Sequence, residues 1–97
     1  MAKFHFTLKA SEDLAEIWNY TFEEWSEKQA DKYVQLLFDA CQQLANHPNR
    51  AKKYEIQIEN VWGYKAGEHI IFFQKISDKE IEVVRILHGM MDLKKKF

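Results

Sequence analysis

The stretch HIIFFQKISDKEIEVVRIL, residues 69–87, decides the fold because it contains two strong strands joined by a short turn. Residues 69–75 and 81–87 are nearly continuous apolar runs rich in Ile, Val and Phe, which is typical of strands in the middle of a sheet. Residues 77–79 between them have the length of a hairpin turn. We therefore predict a central β-hairpin that is covered by helices.

Upstream of this hairpin, the residue pattern predicts one strand followed by a helix. Apolar and polar residues alternate over residues 3–8, which indicates a short half-buried strand. Ser11 is a candidate N-cap, and Glu12 and Asp13 would then occupy the first helical turn, where acidic side chains are favourable. The apolar spacing from Leu14 onward predicts a helix of about 15 residues.

A second helix is predicted to follow almost without a linker. Ser26 and Gln29 have the spacing of a capping box, and Pro48 disfavours helix at the residue before it. Two adjacent helices with facing apolar stripes predict a helical hairpin. Residues 54–58 and 61–65 are further candidate strands.

These elements predict one domain, residues 1–97, of the α+β class. Its order is strand, helix, helix and then three or four strands, with the helical hairpin packed on one antiparallel sheet.

Composition excludes several classes of protein. Of 97 residues, 46% are apolar, and 14 Lys and Arg nearly balance 15 Asp and Glu, so a disordered chain is not expected. There is no apolar stretch of about 20 residues and no signal peptide pattern, so we expect a cytoplasmic protein without a membrane partner. A net charge of −1 argues against binding duplex DNA through bulk positive charge, and no direct sequence-specific nucleic-acid contact is expected.

The charge is unevenly distributed between the two halves. Residues 1–48 carry 4 Lys against 8 Asp and Glu, a net charge of −4. Residues 49–97 carry 10 Lys and Arg against 7 Asp and Glu, a net charge of +3. This asymmetry favours a basic segment of a partner on the acidic helices.

The motifs of common cofactors and metals are missing from the sequence. Its 3 isolated glycines cannot build a phosphate-binding loop, and its 4 histidines lack metal-ligand spacing, so neither a cofactor nor a metal site is expected. Cys41 lies on the apolar stripe of the second helix, where we interpret it as a small buried hydrophobe.

Two groups of residues are candidates for function. Lys65, His69, Arg85 and His88 could supply the base, acid and cation of a ribonuclease, although most sheets carry a few such residues. The C-terminal tail combines adaptable apolar groups with a run of three lysines, and methionines suit a surface that moulds to another protein. The apolar members of this tail are Met90, Met91, Leu93 and Phe97.

Several short motifs, spread in the same order over nearly the whole chain, resemble the ParE toxin family. In the helical half they are residues 10–17, Trp25, Gln29, Ala30, Tyr33 and residues 44–48. In the sheet half they are residues 67–73, residues 84–88, Met91 and Asp92. Ser26 departs from the pattern, because the family often has Gly between the helices.

The resemblance implies a RelE/ParE-like fold and a toxin of a type II toxin–antitoxin pair. It further implies plasmid stabilisation, a ParD-like antitoxin that silences the toxin, and inhibition of DNA gyrase, with the A subunit as the expected contact. Such toxins inhibit by binding rather than as enzymes. The RelE branch shares the fold but cuts mRNA on the ribosome, and an inactive relic that only binds antitoxin is a third possibility.

The sequence favours the ParE branch. RelE-like nucleases commonly carry an aromatic residue, often Tyr, near the C-terminus, whereas here Phe97 is the only late aromatic and cannot exchange a proton. We expect the target contact at Arg85, His88 and the four apolar tail residues. The candidates for antitoxin binding are Trp18, Phe22, Trp25 and Tyr33.

Overall fold

The structure is a computed structural model that describes residues 2–53 and 60–89. Within these ranges the helices are α1 (Leu8–Glu24) and α2 (Glu27–Asn46), followed by a 3-10 turn at Pro48–Arg50. The strands are β1 (Lys3–Phe6), β2 (Lys52–Lys53), β3 (Trp62–Ala66), β4 (His69–Ser77) and β5 (Glu80–His88). The predicted strand at 54–58 lies outside the described residues.

The strands form one sheet in the order β1-β5-β4-β3-β2. The predicted hairpin is confirmed, because β4 pairs antiparallel with β5 in the middle of the sheet. The two helices pack together and on one face of the sheet, so the predicted α+β architecture is confirmed.

One strand pair differs from the predicted antiparallel arrangement. β1 runs parallel to β5, which makes the sheet mixed. A parallel pair needs a long crossover connection. The helical hairpin supplies one because it lies between β1 and the sheet strands, but a pattern of apolar residues carries no information about strand direction.

The start of α1 also differs from prediction. Thr7, not Ser11, is the N-cap: its hydroxyl accepts a hydrogen bond from the Ala10 N–H at 3.1 Å and donates one to the Val84 carbonyl at 2.9 Å. The strand correspondingly ends at Phe6 rather than residue 8. Because the helix begins earlier than predicted, Asp13 is not in its first turn. Asp13 instead lies on the buried face of α1.

The start of α2 is as predicted. The Ser26 hydroxyl accepts a hydrogen bond from the Gln29 N–H at 3.0 Å, and the helix ends at Asn46, two residues before Pro48. Cys41 is fully buried in the core, and burial raises the pKa of its thiol to about 12. The thiol is therefore neutral and behaves as the predicted hydrophobe.

Apolar side chains fill both faces of the central strands. Ile71 and Phe73 face the helices, where they join Leu37 and Leu44 of α2. On the opposite face a second cluster consists of Val61, Ile70, Phe72 and Leu87, with Val84 packed against it. Period-two alternation along β4 thus places its first residue, His69, on the same face as Ile71 and the helices.

Candidate functional site

The second half of β5 forms an edge of the sheet beside α1. β1 pairs only with Glu80–Val83, so among the described residues no strand lies along the outer side of 84–88. A register shift at Phe72 and Phe73 leaves Val84 as an extra residue in this strand. The chain leaves β1 here and enters α1, which brings the buried face of the helix to the strand edge.

Asp13 of α1 accepts three hydrogen bonds from residues of this strand edge. Its carboxylate accepts from Nε of Arg85 at 2.8 Å and from Nη2 at 3.0 Å, and also from the backbone N–H of Ile86 at 2.9 Å. The carboxylate hydrogen bond raises the pKa of Arg85. Asp13 is only 8% exposed, so this is a bidentate ion pair with little access to water.

A second polar connection joins α2 to the turn between β3 and β4. The Tyr33 hydroxyl accepts from the Glu68 N–H at 2.9 Å and lies 2.6 Å from Nδ1 of His69. The Tyr33 hydroxyl has one hydrogen, and we assign this hydrogen to the bond with Nδ1 of His69. Neutral His69 then carries its own ring proton on Nε2. Tyr33 thereby fixes the orientation of His69.

His69 stands beside His88 at the end of the β4–β5 pair. The two residues are register partners, and their rings are 5.3 Å apart at 81°. Burial first, and the neighbouring His88 second, lower the pKa of His69 to about 4. His69 is therefore neutral at pH 7.

This lowered pKa predicts a loss of stability in acid. Between pH 6.5 and 4 the unfolded chain binds a proton at residue 69 that the folded chain excludes, so the free energy of unfolding falls as pH is lowered through that window. We expect a loss of about 1–2 kcal/mol after allowing for the exposed part of the ring. Urea unfolding at a series of pH values measures it.

The control for this prediction is His69→Gln, which cannot titrate. Its stability should change less between pH 6.5 and 4 than that of the unaltered protein. Equal slopes in the two proteins would show that His69 is not the responsible group.

Gly67 makes the approach of Tyr33 possible. Its φ is +59°, in the left-handed region, and a Cβ atom there would lie 2.7 Å from the Tyr33 hydroxyl. We predict that Gly67→Ala lowers the free energy of unfolding by about 1–2 kcal/mol, from backbone strain and displacement of Tyr33. Thermal unfolding checks this against Gly89→Ala, whose new Cβ would meet only an ordinary contact at 3.6 Å. Equal losses in both variants would contradict it.

A cavity of about 320 Å³ lies between α1 and the end of β5, and we call it the β5 groove. Its walls include Ile17, Leu87, His69 and His88, and the Asp13–Arg85 pair lies in it. Glu16 and Tyr20 of α1 stand at its exposed rim, Tyr20 with 66% of its surface accessible. The groove combines an apolar floor with a polar rim, as binding sites usually do.

The opposite flank of α1 carries an aromatic face, which consists of Trp18, Phe22 and Trp25. The rings of Trp18 and Phe22 stack 5.2 Å apart, and Nε1 of Trp18 donates to Asp31 of α2 at 3.0 Å. Phe22 is 47% exposed and Trp25 is 75% exposed. Exposed neighbouring aromatics of this size mark interaction surfaces.

Comparison with known proteins assigns the fold and the family. The family model of the ParE toxin of type II toxin–antitoxin systems (parDE) matches residues 4–93. The chain belongs to the ParE toxin family. Toxin ParE1 of Mycobacterium tuberculosis (strain H37Rv) is 31% identical over 84 residues, which is 87% of this chain and 86% of that protein.

Two further proteins agree with this assignment. Toxin ParE1 of Caulobacter vibrioides is 26% identical over 92 residues, which is 95% of this chain and 94% of that protein. A solved structure of the chromosomal ParDE toxin–antitoxin system from P. aeruginosa has the same fold, with a TM-score of 0.76 at 22% identity over 91% of this chain and 96% of that one. The protein is thus a type II toxin of the ParE/RelE superfamily.

The structure of this ParE-family toxin gathers only part of the predicted nuclease set. His69, Arg85 and His88 all line the β5 groove. Lys65 does not join them, because it alternates with Tyr64 and Ala66, whose side chains join the helix-side core. Its side chain is therefore on the other face of the sheet.

The predicted binding residues are also divided. Trp18, Phe22 and Trp25 form one face, with Phe22 and Trp25 exposed and Trp18 half-buried. Tyr33 is also half-buried, but it lies apart from them and hydrogen-bonds to His69 and the Glu68 N–H. Of the predicted target contacts, Arg85 and His88 lie in the groove. Met90, Met91, Leu93 and Phe97 lie outside the described residues.

Three residues of the site were not predicted from the sequence: Asp13, Glu16 and Tyr20. Asp13 had a detectable signal, because it stands between Ala10 and Ile17 on the apolar face of a helix, where a carboxylate needs a buried partner. Within the described ranges no cluster of three or more histidine, cysteine or acidic side chains could hold a metal ion. No helix in those ranges is long and apolar enough to cross a membrane.

Proposed function

We propose that this toxin inhibits DNA gyrase by binding to it and so blocks replication, and that a ParD-like antitoxin neutralises it. The observation that carries the proposal is the match of the ParE family model to residues 4–93. The similarity to Toxin ParE1 of M. tuberculosis over 87% of the chain supports the same branch.

The groove chemistry supports inhibition by binding rather than phosphodiester cleavage. A nuclease needs a cation directed at the phosphate and groups that exchange protons near pH 7. Here the Arg85 guanidinium holds the Asp13 carboxylate at 2.8 and 3.0 Å, and the pKa of His69 is lowered to about 4. Lys65, the remaining candidate cation, faces away from the groove.

We place the antitoxin on the aromatic face of α1. An amphipathic segment would lay its apolar side against Trp18, Phe22 and Trp25, as in other helix-in-groove complexes. The net charge of −4 on residues 1–48 favours a basic segment there. Association that is insensitive to salt would contradict this electrostatic part.

Expression in a bacterial host tests the function. We expect growth arrest on induction, with DNA synthesis falling before protein synthesis, and rescue when the ParD-like antitoxin is expressed with the toxin. Normal growth despite accumulated folded toxin would contradict the proposal and favour an inactive relic.

Ribosome-dependent mRNA cleavage is the alternative, and the neighbouring rings of His69 and His88 in one groove favour it. If it holds, protein synthesis stops first and cleaved mRNA accumulates, and the double variant His69→Ala, His88→Ala abolishes the cleavage. If that variant no longer cleaves mRNA but still arrests growth, mRNA cleavage is excluded as the cause of toxicity.

A further inference from the structure

The β5 groove has an excess of negative charge. The carboxylates of Asp13, Glu16 and Glu12 all act electrostatically on the Arg85 guanidinium, and Asp13 binds it directly. Among the described residues that line the groove, one guanidinium thus faces the two carboxylates of Asp13 and Glu16, and Glu16 at the rim is exposed.

The floor of the groove is apolar below this acidic rim. Ile17, Ile86 and Leu87 are at most 8% exposed, and Tyr20 presents its ring at the edge. Arginine and lysine side chains match such a surface, since their stems pack on apolar groups while their charged heads stay at the rim. An exposed aromatic ring beside a carboxylate adds a cation–π contact for the same head.

The β5 groove and the aromatic face lie on opposite flanks of α1, so a single antitoxin segment can contact both. Trp18 and Tyr20 are two residues apart, which separates them by about 200° around α1. The exposed back of the helix between these flanks carries Ser11, Ala15 and Asn19 together with the acidic Glu12 and Glu23. A basic segment that crosses this acidic surface of α1 can therefore reach both flanks.

We propose that the antitoxin inserts one arginine or lysine side chain into the β5 groove, with its stem on Ile17 and Ile86 and its charged head between Glu16 and Tyr20. This inference rests on the proposed function, because it assigns a second contact to the antitoxin proposed above.

Calorimetric titration of the full-length toxin with the ParD-like antitoxin tests the groove. We expect Glu16→Gln and Tyr20→Ala each to raise Kd about tenfold, and Glu16→Lys about a hundredfold. Asp78→Asn is the matched control, since it removes one exposed negative charge in the β4–β5 turn outside the groove, and should change Kd less than about twofold. Thermal unfolding should be unaltered in all four variants because these side chains are exposed.

A double-mutant cycle identifies the partner residue. Each arginine and lysine of the antitoxin is replaced in turn by Met, and one replacement should lose its effect on Kd in the Glu16→Gln background. Binding that is unchanged or tighter with Glu16→Lys, or the absence of any coupled basic residue, would overturn the inference while leaving the proposed function intact. Failure of the unaltered toxin to bind the antitoxin would overturn both.

Discussion

Asp13→Ala should be among the most destabilising single substitutions in this domain, lowering the free energy of unfolding by about 3–5 kcal/mol. The substitution removes three hydrogen bonds at once and leaves the Arg85 guanidinium and the Ile86 N–H without the carboxylate that accepts from them. Small domains are commonly stable by only about 5–15 kcal/mol, so the loss is a large share of the total. Urea unfolding monitored by tryptophan fluorescence measures it.

Two matched variants make this result specific. Glu12→Ala removes the neighbouring exposed carboxylate and should change stability by less than about 0.5 kcal/mol. The double variant Asp13→Ala, Arg85→Ala should lose less than the sum of the two single variants, because the two groups act as a pair. Equal stability of the Asp13 and Glu12 variants would refute the role given to the ion pair.

Removal of the aromatic face should have the second large effect, on antitoxin affinity. The double variant Phe22→Ala, Trp25→Ala should raise Kd for the ParD-like antitoxin about a hundredfold or more, since buried aromatic anchors carry much of the energy of an interface. Trp25 is 75% exposed and Phe22 is 47% exposed in the toxin alone, so its free energy of unfolding should fall by at most about 2 kcal/mol. Calorimetric titration gives the affinity and urea unfolding gives the stability.

Ile76→Ala is the control for the aromatic face. Ile76 is a large apolar side chain, 54% exposed, at the end of β4 away from α1. Its replacement should leave Kd within about twofold. In cells, the aromatic variant should remain toxic but escape rescue by the antitoxin, whereas loss of both toxicity and antitoxin binding in the folded variant would contradict separate antitoxin and target surfaces.

The elements of this fold could be predicted because their patterns are local. The apolar runs of β4 and β5 and the Ser26 cap with Pro48 beyond the end of α2 are visible in a few adjacent residues. The direction of β1 could not be predicted in this way. It depends on where the helical hairpin returns the chain, which is a tertiary property.

The site was predictable only as a set of residue types. His69 and His88 could be placed at the ends of neighbouring strands, and the structure brings them together. Tyr33 has the spacing of a core residue, and nothing local shows that its hydroxyl would meet the β3–β4 turn 35 residues later. The predicted start of α1 was wrong because Ser11 with its acidic neighbours resembles a first helical turn, whereas the N-cap is Thr7.

An assay with purified DNA gyrase tests the proposed target directly. The full-length toxin should inhibit supercoiling and stabilise cleaved DNA, and addition of the ParD-like antitoxin should reverse both effects. A Met91→Ser, Leu93→Ser variant examines the predicted tail contact in the same assay. Unaltered supercoiling and no trapped cleavage at an excess of folded toxin would contradict gyrase inhibition.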